Sequence, residues 1–141
     1  MWRRIGLCLW LLGILFPLAW LGRFSPGYRH AFDAVFGPAW MHIVMHAALF
    51  AGLAVLLPAV LKRQLTLQAA LLILASILVI GLLQEIFQSF SQGKLLWQPG
   101  SARLAAFDLV VDLAGGLVGI GAAGLWQWFN ARQAVSIIDR E

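Results

Sequence analysis

Charge is what this sequence has least of. Only 11% of its 141 residues are Asp, Glu, Lys or Arg, against roughly a quarter in an ordinary soluble domain. That scarcity excludes a disordered chain, which needs polarity to stay solvated, and a nucleic-acid module, which needs a dense basic face. Cysteine is nearly absent as well. The single Cys8 permits no intrachain disulfide and no Cys-type metal centre. Alternating apolar and polar segments of about ten residues are missing, which excludes a lipid-facing β-barrel. What remains is apolar: 62% of the residues are hydrophobic and the mean hydropathy is +0.87. Such a chain needs a bilayer rather than water as its solvent.

The length corresponds to one domain, 1–141. A membrane-spanning helix takes about 20 mostly apolar residues, and four runs qualify: 5–22, 38–61, 67–90 and 105–129. The fold class is therefore all-α, a polytopic integral membrane protein with four transmembrane helices. The first run follows Arg3 and Arg4 in the manner of a signal peptide. It is long for one and lacks a small-residue cleavage site across 17–22, so it reads as an uncleaved anchor. Lys and Arg favour the cytoplasmic side of short loops. With the N-terminus inside, that side holds Arg3, Arg4, Lys62, Arg63, Arg132 and Arg140, and the outer side holds Arg23, Arg29, Lys94 and Arg103. The bias favours an N-in/C-in topology, with the Lys62-Arg63 turn as its best inner marker. Two long loops, 23–37 and 91–104, then share the outer side. The tail, 130–141, is polar and reads as partly helical. The 94–97 cluster of Lys94, Leu95, Leu96 and Trp97 reads as a dip onto the outer leaflet.

Ionisable groups inside spans cost about 2.5–3.5 kcal/mol each on insertion scales, so they face the bundle interior or a wet cavity. Here the second run carries His42 and His46, the third ends in Gln84, Glu85 and Gln88, and the fourth begins with Asp108 and Asp112. His42 and His46 are spaced i,i+4, Glu85 and Gln88 i,i+3, and Asp108 and Asp112 i,i+4, so each pair lies on one helix face. Because successive spans alternate in direction, all three faces fall at one depth, on the side of the two long loops, whichever way the chain is oriented. Scattered polar residues do not align in this way. The bland interpretation is a buried hydrogen-bonded network that pins the helices together. The functional one is an outward-facing polar pocket for a head group or small ligand, made by His46, Glu85, Gln88, Arg103, Asp108 and Asp112 with His42 at its rim. Arg103 would clamp an anion, since guanidinium pairs bidentately with phosphate or carboxylate.

No metal or other cofactor is assigned from the sequence, because a lone His-x-x-x-His pair without a His-Glu-x-x-His motif does not specify one. Gly115 and Gly119 form a Gly-x-x-x-Gly pair suited to close helix packing rather than to phosphate binding.

The order of these residues resembles the VanZ-like family of small bacterial membrane proteins. That family pattern has a His followed by an aromatic four residues on and then a Leu, next a Glu-x-x-Gln, then an Arg-bearing loop that leads into Asp-x-x-x-Asn-x-x-Gly-x-x-x-Gly. In this chain His46 precedes Phe50 and Leu53, Glu85-Ile86-Phe87-Gln88 follows, and Arg103 stands five residues before Asp108, Asp112, Gly115 and Gly119. The resemblance spans about 38–125. Asp112 stands where Asn is common, Ile43 where Lys is common, and the loop between Gln88 and Arg103 is longer than usual. The resemblance implies a cell-envelope protein of the bacterial cytoplasmic (inner) membrane, of a family whose founding member is associated with teicoplanin resistance. The expected partners are membrane lipids and a lipid-linked or cell-wall precursor, not nucleic acid. Two other classes stay open: an intramembrane hydrolase or transferase with Glu85 and His46 as acid and base, and a structural or partner-binding membrane protein. The sequence does not give the oligomeric state.

Overall fold

Prolines and short polar turns punctuate the chain, and the apolar runs between them can satisfy their backbone only as helix. The computed structural model describes residues 2–16, 18–91 and 98–138. Its elements are α1 (Trp2–Leu15), a 3-10 helix (Leu18–Arg23), α2 (Pro26–Phe36), α3 (Ala39–Leu61), α4 (Leu67–Ser91) and α5 (Pro99–Ile138), with no strand among the described residues. Three stretches have the length and composition of membrane spans: Ala39–Leu61, Leu67–Ser91 and Gly100–Gln133.

The first apolar run differs from the single helix expected over 5–22. Helix α1 stops at Leu15, and a 3-10 helix covers Leu18–Arg23. Pro17 explains the break, since it brings no N–H and its ring disfavours helical geometry at the preceding residue. The region 23–37, read as a loop, contains α2. Ser25 caps it, its Oγ accepting from the Tyr28 N–H at 3.3 Å, and Pro26 occupies the first turn. Helix α5 begins at Pro99 and continues to Ile138, so it takes in Arg103 and much of the polar tail. The 94–97 cluster and Arg140 lie outside the described residues.

Helices α3 and α5 run parallel and touch most closely where side chains are smallest. A Cβ built on Gly115 would lie 2.7 Å from the Ala47 Cα, and one on Gly119 would lie 2.8 Å from the Ala54 Cβ, with the Ala47 and Ala51 carbonyl oxygens closer still. Only glycine lets these backbones meet. Helix α4 runs antiparallel to both, with Gly81 against Asp112 and Leu109, and Ile77 against Gly116. The apolar core is small, built on Phe50, Leu53, Ala54, Ile73, Ile77 and Ile14. Leu71, Leu72, Val79, Val110, Val118 and Leu125 point outward and are exposed. A soluble protein rarely tolerates an apolar surface of this extent, whereas a lipid-facing one requires it.

Helix α1 lies antiparallel alongside α3. The Trp10 Nε1–H donates to the Leu49 carbonyl at 2.8 Å, and near the start of the helix Arg3 donates to the Ala59 carbonyl at 3.4 Å. The Trp10 indole sits in a notch left by Gly52, where a Cβ would come within 2.9 Å of its ring. At the same end as Arg3, α3 terminates in Lys62, held in left-handed geometry at φ 51°. Gln127 of α5 closes this turn: its Oε1 accepts from the Leu65 N–H at 2.9 Å and its Nε2 donates to the Arg63 carbonyl at 3.4 Å. Nearby, the Arg132 guanidinium stacks 3.7 Å over the Trp128 ring.

Candidate functional site

At the opposite end of the bundle the polar faces of α3, α4 and α5 meet. Parallel packing sets α3 and α5 in register, so that two residues one turn apart on each helix form two rungs. His42 Nε2 lies 3.3 Å from Asp108 Oδ2, and one turn deeper His46 Nδ1 lies 2.8 Å from Asp112 Oδ1. The two imidazoles are 4.4 Å apart between centroids. The upper rung is partly open, with the His42 side chain 41% exposed, and the lower one is sealed, at 5% for His46 and 1% for Asp112.

Helix α4 brings Glu85 to the same depth. It is buried, and its carboxylate is within electrostatic reach of Asp108, His46, Asp112 and His42. Its Oε1 has no hydrogen-bond partner, and the same is true of Asp112 Oδ2 and of Gln84 Oε1. Orphaned oxygens of this kind are costly and rare in folded proteins. Among the described residues, no Lys or Arg forms an ion pair with Glu85, Asp108 or Asp112. His42, His46 and Asp108 each offer one potential metal-ligating atom, all within 4.8 Å of one another.

The two histidines also line a cavity of about 370 Å³. Gln84, Gln88 and the end of α4 at Ser91 form one polar wall. Ile14 and Phe16 from the α1 end, and Trp20 from the 3-10 helix, form an apolar one. Helix α2 contributes Phe32 and Phe36, part of a Tyr28–Phe32–Phe36 row with ring centroids 5.9 and 4.7 Å apart. Arg23 stands at the rim and donates to the Ser91 carbonyl, a cation set against the carbonyl end of α4. The space is thus polar below, aromatic on its sides and basic at its mouth, the mix typical of small-molecule sites.

The structure brings His42, His46, Glu85, Asp108 and Asp112 together, with Gln88 on the wall of the adjoining cavity. It does not bring Arg103 to them. Five residues before Asp108 on one helix, Arg103 sits about 140° round the axis, exposed, with no hydrogen bond or ion pair to a described residue. Sequence reasoning missed Arg23, Trp20, Phe32 and Phe36. The i,i+4 aromatic spacing from Tyr28 to Phe36, after a Ser-Pro helix start, was a usable signal for the last two. Nothing in the sequence singled out Arg23, whose position depends on the break after α1. No protein-family model matches the chain, and no curated protein or solved structure matches it either.

Proposed function

We propose that the chain is a VanZ-like envelope protein of the bacterial cytoplasmic membrane whose outward-facing cavity binds a polar or anionic head group, of a lipid or a lipid-linked cell-wall precursor. One observation carries this reading: the 370 Å³ cavity joins a His/Gln floor to aromatic walls and the Arg23 cation. A lipid-linked polar group asks for that combination, since the head group takes hydrogen bonds and charge and the chain beneath it takes apolar contact. Arg23, not Arg103, is the anion-facing residue.

In this reading the chain crosses the membrane four times, with both termini inside. The antiparallel course of α1 beside α3, from Arg3 at Ala59 to the cavity beside His42, supports a fourth crossing. Arg3, Lys62, Arg63 and Arg132 gather at the end away from the cavity, which the positive-inside rule makes cytoplasmic. The test is native mass spectrometry of the tag-free protein released gently from its membrane. Wild-type protein should retain an anionic or sugar-bearing lipid, and Arg23→Ala should lose most of it. Equal retention by both proteins, or none by wild type, would sink the proposal.

A further inference from the structure

We infer that His42, His46 and Asp108 form a site for a divalent transition-metal cation of the zinc class, at the floor of the cavity. The inference stands on the helix rungs and does not depend on what the cavity binds.

Three features carry it. The first is the donor set. Two imidazoles and one carboxylate present ligand atoms within 4.8 Å of one another. His42 Nε2 and Asp108 Oδ2 are 3.3 Å apart, close to the edge of a tetrahedron whose metal–ligand bonds are about 2.0–2.1 Å, which is also about 3.3 Å. Two histidines and a carboxylate leave one position of such a centre open, and here both histidines line the cavity.

The second is the support behind the ligands. Asp112 takes His46 by its Nδ1. That bond fixes the tautomer and leaves Nε2 free to ligate, the arrangement by which a carboxylate commonly orients a metal-bound histidine. His46 is thus held by a sealed carboxylate and also lines the cavity.

The third is charge. Glu85, Asp108 and Asp112 place three carboxyl groups in one buried cluster, and among the described residues no Lys or Arg pairs with any of them. Glu85 Oε1 and Asp112 Oδ2 lack partners although both residues are buried. A divalent cation offsets this charge where two neutral histidines cannot. Imidazole donors select zinc, cobalt and their neighbours over magnesium and calcium.

The test uses the full-length, tag-free protein in detergent, titrated with Co²⁺ and followed by its visible d–d absorption, with metal content read by mass spectrometry after dialysis. Wild type should hold about one ion per chain, displaced by Zn²⁺ and not by Mg²⁺. His42→Ala and Asp108→Asn should each abolish the Co²⁺ band. Asp112→Asn should keep the band and weaken affinity by about 10–100-fold. His30→Ala, on exposed α2, should bind as wild type does. Circular dichroism monitors folding, and if His42→Ala loses helicity then His42→Gln is titrated in its place. Wild type that holds no ion, binding that survives both His42→Ala and Asp108→Asn, displacement by Mg²⁺, or loss of the band in His30→Ala would each overturn the assignment.

Discussion

His46 and Asp112 meet at 2.8 Å in the sealed interior of the bundle, one supplied by α3 and the other by α5. Because these helices run parallel, the rung works only if both are in register, and the glycine contacts directly beneath it set that register. Removing one partner leaves the other buried and unpaired, at a cost of about 1–3 kcal/mol. Asp112→Leu should therefore lower the thermal midpoint in detergent markedly. Asp112→Asn, which can still accept from the ring, should lower it much less. A thermal melt followed by circular dichroism or by light scattering separates the two.

Gly115 and Gly119 should be among the least replaceable residues. A side chain at either meets the α3 backbone, which cannot yield as a rotamer can. Overpacking of this kind costs about 1–3 kcal/mol or more, so Gly115→Val and Gly119→Val should each destabilise strongly. Gly121, where a Cβ meets nothing, provides the contrast, and Gly121→Ala should be neutral or slightly stabilising in the same melt.

The two arginines at the cavity end of the bundle, Arg23 and Arg103, should behave differently. Arg23→Ala should reduce retention of a bound anionic lipid several-fold, while Arg103→Ala should leave it unchanged. Arg23 donates to the Ser91 carbonyl at the cavity rim, whereas Arg103 lies on another face of α5. Lipid extraction from equal amounts of each purified variant, followed by mass spectrometry, gives the comparison.

Topology is open to direct labelling. In a Cys8→Ser background, Arg29→Cys should react with a membrane-impermeant maleimide in intact cells. Lys62→Cys should react only after permeabilisation. Labelling of both from outside, or the reverse pattern, would exclude the N-in/C-in arrangement.

The turn at the other end makes a smaller prediction. Gln127→Leu removes a donor to the Arg63 carbonyl and an acceptor for the Leu65 N–H. Each such bond is worth about 0.5–1.5 kcal/mol, so the variant should melt earlier than wild type without altering any property of the cavity.

Much of the polar cluster is legible in the amino-acid sequence alone. His42 with His46, Glu85 with Gln88, and Asp108 with Asp112 each announce a helix face by spacing, and alternating span direction brings the faces to one depth. Which histidine meets which aspartate is not legible, because that depends on α3 and α5 running parallel in register. Arg103 misleads for a local reason. A loop at that position would leave it free to reach the cluster, but α5 begins four residues before it and turns it away. The cavity is illegible because its aromatic walls come from α2 and the 3-10 helix, inside a region whose apolar periodicity is short and broken by Pro17 and Pro26. The apolar runs themselves give the bounds of α3 and α4 closely, since a bilayer-length run ends where its polar flank begins.

The seat of Trp10 against Gly52 has a consequence for the cavity one turn away. The indole acts as a gauge block between α1 and α3: its thickness fixes how far apart the two helices stand where Ile14 and Leu49 form the cavity wall. A single methyl added at Gly52 would wedge the helices open, and the chamber would widen although none of its own residues had changed. The width of the chamber is thus set from outside it, by one aromatic ring resting on a missing side chain.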